Sequence, residues 1–146
     1  MKTILVAYDD TEPSRRALER AASIAEAFGA RVLVTSIAPL VHSSPRSAAS
    51  LDRSGGVGTA ESDVGRAQAI LEERGISAEG VTATGDPASS IARLAEDRKA
   101  DLVVIGTRGL GPIQRLLGQS VSQAVSRRVR CDLLIVHPGP EAEERN

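Results

Sequence analysis

Two stretches of this chain carry residue types that can hold a phosphate. Gly106-Thr107-Arg108-Gly109-Leu110-Gly111-Pro112 leaves the apolar run Leu102-Val103-Val104-Ile105, and Gly118-Gln119-Ser120-Val121-Ser122 stands a short loop later. Glycines directly after a buried strand let backbone N–H groups approach an anion closely and form a nest for it. A helix opening near Ser120 would present free N–H groups and the positive end of its dipole to the same anion, and the Ser120 hydroxyl can cap the helix or donate to a phosphate oxygen. Arg108 and Arg115 add positive charge. The same residues fit a plainer reading, a glycine-rich turn with Ser120 as a helix cap and no ligand. The stretch is neither a Walker A loop, since no Gly-Lys-Ser/Thr follows the glycines, nor the dinucleotide fingerprint, which belongs on a first strand with different spacing.

The elements around these stretches set where they lie. Ile4-Leu5-Val6-Ala7-Tyr8 reads as a strand buried on both faces and ends at Asp9-Asp10. Thr11 then caps a helix with Pro13 in its first turn and Ala17, Leu18, Ala21, Ile24, Ala25 and Phe28 on one apolar face, stopped by Gly29. Val32-Leu33-Val34-Thr35-Ser36-Ile37 is the second strand. Residues 40–58, dominated by Ser and Gly, read as a mobile surface loop. A helix over about 59–74 follows, with Val64, Ala67, Ile70 and Leu71 inward. Val81-Thr82-Ala83-Thr84 is a weaker third strand, and Pro87 starts a helix with Ile91, Leu94 and Ala95 inside. The fourth strand ends at Ile105. A last helix covers about 120–128 with Val121, Ala124 and Val125 inside, before the final strand Leu133-Leu134-Ile135-Val136. Strands alternating with helices fold as an α/β, doubly wound parallel sheet, here a single domain over residues 1–140 with a solvated tail at 141–146. In such folds ligands sit at the carboxyl ends of the strands, where the strand order reverses.

Together these blocks resemble the universal stress protein family over nearly the whole chain. Its nucleotide-binding branch carries Gly, two residues, Gly, nine residues, Gly, then Ser or Thr. Gly106 and Gly109 match the first two glycines and Ser120 the hydroxyl, while Gln119 stands where the third glycine belongs and Gly118 lies one place early. Ala7-Tyr8-Asp9-Asp10-Thr11-Glu12-Pro13-Ser14, Gly85-Asp86-Pro87 and Asp101-Leu102-Val103-Val104-Ile105-Gly106 resemble the family's other blocks. The resemblance implies a five-stranded parallel sheet in the order 3-2-1-4-5 with helices on both faces. It implies ATP as ligand, with Mg²⁺ on its phosphates. Asp9 would accept a hydrogen bond from the adenine amino group, Ile37 would pack on the ring, Ile105, Gly106 and Gly109 would line base, ribose and phosphates, and Gly118, Gln119, Ser120 and Val121 would meet the phosphates. It also implies a homodimer. The edge strand Leu133-Leu134-Ile135-Val136 has no Pro or charge to blunt it and is expected to pair antiparallel with its copy.

Other chemistries find little here. The chain has 146 residues, 41% of them hydrophobic and 25% charged, and its formal net charge of −1 offers no general field for nucleic acid or membrane. Aromatics make up 1%, Tyr8 and Phe28, so base-stacking platforms are excluded. Cys131 is the single cysteine and reads as a buried structural thiol, and His42 and His137 are not spaced as metal ligands. Asp9-Asp10 also stands where receiver domains hold Mg²⁺, but those end the fifth strand on Lys, and His137 is here instead. No Gly-x-Ser-x-Gly elbow surrounds Ser120, and Arg127-Arg128-Val129-Arg130 suits a helix end. With no signal-like segment or membrane-length apolar run, a cytoplasmic location is expected. The functional expectation is an ATP-binding regulatory domain rather than an enzyme. The alternatives are a slow ATP hydrolase and a ligand-free dimeric module with its phosphate site closed by Gln119.

Overall fold

A computed structural model describes residues 1–38, 52–107 and 121–139, with side chains outside the description at 52–57. Five strands are described: β1 Thr3–Ala7, β2 Arg31–Ala38, β3 Ala78–Thr84, β4 Leu102–Gly106 and β5 Asp132–Val136. Between them run α1 Glu12–Phe28, α2 Asp52–Glu73, α3 Pro87–Asp97 and α4 Val121–Arg128. The sheet is parallel throughout, in the order β3-β2-β1-β4-β5, as expected. β1 is central: Ile4 aligns with Val32 on one side and Leu102 on the other.

Each face of the sheet carries its own apolar core. Ile4, Val6, Val32 and Val34 pack with Leu18 and Ala21 of α1 and with Val64 and Leu71 of α2. Leu5, Leu33, Val103 and Ile105 pack on the opposite face with Ile91 of α3 and Val125 of α4. Aliphatic strands buried on both faces are what a parallel sheet covered by helices requires.

Local chemistry explains the ends of the elements. The Thr11 hydroxyl accepts the Ser14 N–H at 3.5 Å and caps α1, and Gly29, at φ 66°, closes it in the left-handed region. Asp86 caps α3, its carboxylate accepting the Ser89 N–H at 2.9 Å. Asp101 binds the sheet's opposite end, accepting the N–H groups of Lys2 and Thr3 at 2.7 and 2.9 Å.

Several expectations change. α2 begins at Asp52, so residues 52–58 are helical rather than part of a loop. Glycine costs a helix about 1 kcal/mol per residue without forbidding it. β3 begins three residues early, at Ala78, and takes in Gly80. A Cβ on Gly80 would lie 2.2 Å from Val64 Cγ1, so the weak strand former is what lets α2 pack closely on this edge strand. Phe28 is 62% exposed, because as the last helical residue beside the Gly29 turn it lies past the packed stripe of α1. Ile70 is also exposed, on the flank of the α2 stripe formed by Ala60, Val64, Ala67 and Leu71. Cys131 is half-buried rather than buried, and its burial pushes the thiol pKa up.

Candidate functional site at the carboxyl ends of the strands

The sheet order reverses at β1, between β2 on one side and β4 on the other, which places the crevice beyond the carboxyl ends of β1 and β4. Asp9 lies just past β1. Its backbone N–H donates to Ser14 Oγ at 3.3 Å, and its Oδ1 accepts both the N–H of Thr11 at 3.2 Å and the Thr11 hydroxyl. The carboxylate is thus fixed by the first turn of α1, with the backbone of the turn held at the same time. Tyr8 N–H donates to Thr35 O at 2.9 Å and carries the β1–β2 ladder one step further toward this turn.

Ile37, Ile105 and Val121 belong to one apolar cluster on the α3/α4 face. Ile105 is buried, while Ile37 and Val121 are half-buried. Val121 opens α4, whose amino end faces the crevice because each helix runs against the parallel strands. Thr107 follows β4, and its N–H donates to Val136 O at 3.1 Å. Its hydroxyl oxygen is buried and has no hydrogen-bond partner among the described residues. Asp9, Ile37, Ile105, Gly106 and Val121 are therefore set around the same end of the sheet. Gly109, Gly118, Gln119 and Ser120 lie outside the described residues, as do Arg108, Arg115, His42, residues 40–51 and the tail at 141–146.

The sequence profile of the universal stress protein family matches residues 1–137. The chain belongs to that family. Universal stress protein Rv1636 of Mycobacterium tuberculosis is 36% identical over 142 residues, covering 93% of this chain and 96% of its own. A universal stress protein of Thermus aquaticus is 35% identical over 138 residues, covering 92% and 98%. Among solved structures, a universal stress protein in complex with cAMP superposes with a TM-score of 0.71 at 30% identity, covering 94% of this chain and 98% of that one. Two more distant structures share the fold: a universal stress protein from Archaeoglobus fulgidus in complex with dAMP, with TM-score 0.69, 19% identity and coverage of 92% and 97%, and one from Arabidopsis thaliana with AMP bound, with TM-score 0.71, 17% identity and coverage of 97% and 95%.

In this universal stress protein the glycine at 106 has a reason the sequence reading did not contain. A Cβ there would lie 2.5 Å from the carbonyl oxygen of Pro13 and 2.7 Å from its carbonyl carbon. The first turn of α1 packs so closely on the end of β4 that no side chain fits between them.

A polar cluster that no local sequence pattern announces stands on the α2 side of Asp9. An open cavity of about 560 Å³ is lined there by Asp9, Asp10, Thr59, Ser62, Asp63 and Arg66. Asp10 has φ 59°, which is rare for a residue with a side chain. Its Oδ1 accepts from Tyr8 Oη at 2.8 Å and from Arg15 Nε and Nη2 at 3.2 and 3.1 Å, and its Oδ2 accepts from Arg66 Nη1 at 2.6 Å. The Tyr8 bond and Arg15 hold its pKa below the usual aspartate value. Asp63 is 5% exposed, and burial, reinforced by the charge of Asp10, pushes its pKa up. Neighbouring Asp residues suggest a turn from sequence, but Arg66 is 56 positions from Asp10 and no local pattern links them.

Among the described residues no group of three His, Cys, Asp or Glu side chains is placed to hold a metal ion, and no helix is long and apolar enough to cross a membrane.

Proposed function

We propose that this universal stress protein binds an adenine nucleotide, ATP by preference, in the crevice beyond β1 and β4. The observation that supports the reading is that the carboxylate of Asp9, fixed by Thr11, and the apolar residues Ile37, Ile105 and Val121 stand at the same end of the sheet. An adenine ring needs an apolar wall for its face and a hydrogen-bond acceptor for its amino group, and these residues are of those two kinds. Oδ1 of Asp9 is engaged by Thr11, so Oδ2 would be the acceptor. The phosphates would extend toward Gly109, Gly118, Gln119 and Ser120 and the amino end of α4. The relative solved with cAMP at 30% identity supports an adenine ligand. Mg²⁺ would accompany the phosphates. ATP acts here as a ligand that alters the surface, in a cytoplasmic homodimer joined through β5. Slow ATP hydrolysis is the alternative reading, and among the described residues no evident base is placed for water.

One observation favours the ligand-free alternative. The close approach of Pro13 accounts for glycine at 106 without any phosphate, so that residue is no longer specific to nucleotide binding. Titration calorimetry of the purified chain with ATP and Mg²⁺, and with AMP and cAMP, separates the readings. Saturable heat with one of the three, weakened by Asp9→Ala, is expected. No heat and no thermal shift at millimolar nucleotide would leave the ligand-free module, and a Gln119→Gly variant that then gains binding would identify Gln119 as the residue closing the site.

A further inference from the structure

The nucleotide reading concerns the α3/α4 side of Asp9. The contacts of the next residue, Asp10, join three elements. Tyr8 ends the β1 ladder, Arg15 stands on α1 and Arg66 on α2, and all three bind the single carboxylate of Asp10. Asp10 has a left-handed backbone, and its carboxylate takes partners other than Thr11, which holds the carboxylate of Asp9. The two neighbouring acids are thus tied to different partners. Between α2 and the turn lies the open cavity of about 560 Å³, and the Arg66 guanidinium reaches Asp10 alongside it. The inner face of α2 is seated in the core by Val64, Ala67 and Leu71, so a change at its anchor would be felt in how firmly the helix is held rather than in where it sits.

We propose that Asp10 and Arg66 form a positioning joint through which occupancy of the Asp9 pocket is transmitted to α2. This inference rests on the nucleotide reading. A ligand held by Asp9 restrains the turn, the restrained turn holds Asp10, and Asp10 holds α2 through Arg66. The coupling is reciprocal, so fixing α2 must also favour the ligand. Arg66 is 58% exposed and Asp10 26%, and pairs of that exposure are weak. The effect on affinity is therefore small, a loss of about two- to fivefold when the joint is cut. The clearer signal is in the behaviour of α2.

The test is hydrogen exchange of the full chain with and without saturating AMP, paired with calorimetry, on the wild type, Arg66→Gln, Asp10→Gly and a control, Arg98→Gln. The control cuts an exposed pair with Glu79 at 2.6 Å, away from the joint. Asp10→Gly keeps the left-handed turn free of strain while removing the carboxylate. In the wild type and the control, AMP is expected to slow exchange across residues 62–71 of α2. In Arg66→Gln and Asp10→Gly, AMP is expected still to bind, within about fivefold of the wild type, with that slowing lost. A merely structural role would raise exchange throughout α2 in the absence of ligand and leave the AMP-dependent difference unchanged, which overturns the proposal. It is overturned as well if saturating AMP never slows α2 in the wild type. If AMP, ATP and cAMP give the wild type no heat of binding at all, the nucleotide reading itself has failed and the joint has nothing to transmit.

Discussion

Gly106 and Pro13 touch where β4 meets the first turn of α1, and the missing Cβ of one is the space occupied by the backbone of the other. A backbone carbonyl cannot rotate aside as a flexible side chain can. Gly106→Ala is therefore expected to push α1 off the end of the sheet and to destabilise the fold by about 1–3 kcal/mol, the range for overpacking a tight contact. Urea unfolding measures this directly. A variant as stable as the wild type would show that the turn yields cheaply and would return Gly106 to a ligand-binding role alone.

Asp86 is expected to contribute through its cap. Asp86→Ala removes the acceptor for the Ser89 N–H, and loss of such a cap costs about 1 kcal/mol. Asp86→Asn retains an acceptor and should recover most of the loss in the same unfolding measurement. Equal losses in both variants would assign the effect to charge, through Arg128 at 3.6 Å, rather than to the cap.

Asp101 makes the fold sensitive to acid. The N–H groups of Lys2 and Thr3 hold its pKa below the ordinary 3.8. A group lowered in this way contributes its full stability above the ordinary aspartate range and loses it as the pH falls through the lowered folded value. Asp101→Asn should therefore lower the melting temperature at neutral pH and flatten the loss of stability in acid. An unchanged acid limb in the variant would show that other carboxylates govern it.

Asp63 works in the opposite direction. Its pKa is raised, chiefly by burial and then by the charge of Asp10, so the folded protein holds this proton more tightly than the unfolded chain. Its contribution falls as the pH rises from the ordinary aspartate range through the raised value, and at neutral pH the ionised form is penalised. Asp63→Asn is expected to be at least as stable as the wild type at neutral pH and to lose that advantage at low pH. Thermal melts across the two conditions decide it, and a large destabilisation at neutral pH would mean that the carboxylate is needed in its ionised form.

The proposed dimer has its own check. Leu133→Lys charges β5 at a side chain half-buried against the α3/α4-face core, so a thermal melt first confirms that the variant folds. Strand edges that carry lysine resist pairing. Sedimentation should show a dimer for the wild type and a monomer for the variant. A wild type that is monomeric at high concentration would remove the dimer.

The alternating strands and helices were legible in the sequence from aliphatic runs and helix caps, and the strand order from the family resemblance. Asp9, Ile37, Ile105 and Val121 could be placed at one end of the sheet on the same grounds. The Asp10 network could not, because its partners come from two helices and their meeting depends on how α1 and α2 pack. The early start of β3 was hidden for a related reason: Glu79 and Gly80 are poor strand formers, and Gly80 is in place because Val64 of another element needs the room. Gly106 answers to a demand the sequence did not reveal: beside any ligand at its backbone, the first turn of α1 takes the space that a Cβ would need.

The central place of β1 bears on the order in which the molecule is assembled. One of its edges is covered by β2, whose Arg31 aligns with Thr3, while the other waits for β4, whose Leu102 aligns with Ile4. On the ribosome, β1 emerges well before β4 and therefore keeps one flank bare until β4 follows. Long-range pairings of this kind slow folding and leave strand edges open to misassembly in the interval. A nascent chain halted before β4 would carry a half-clad sheet, so any agent that shields new polypeptides would be expected to engage this one at that flank.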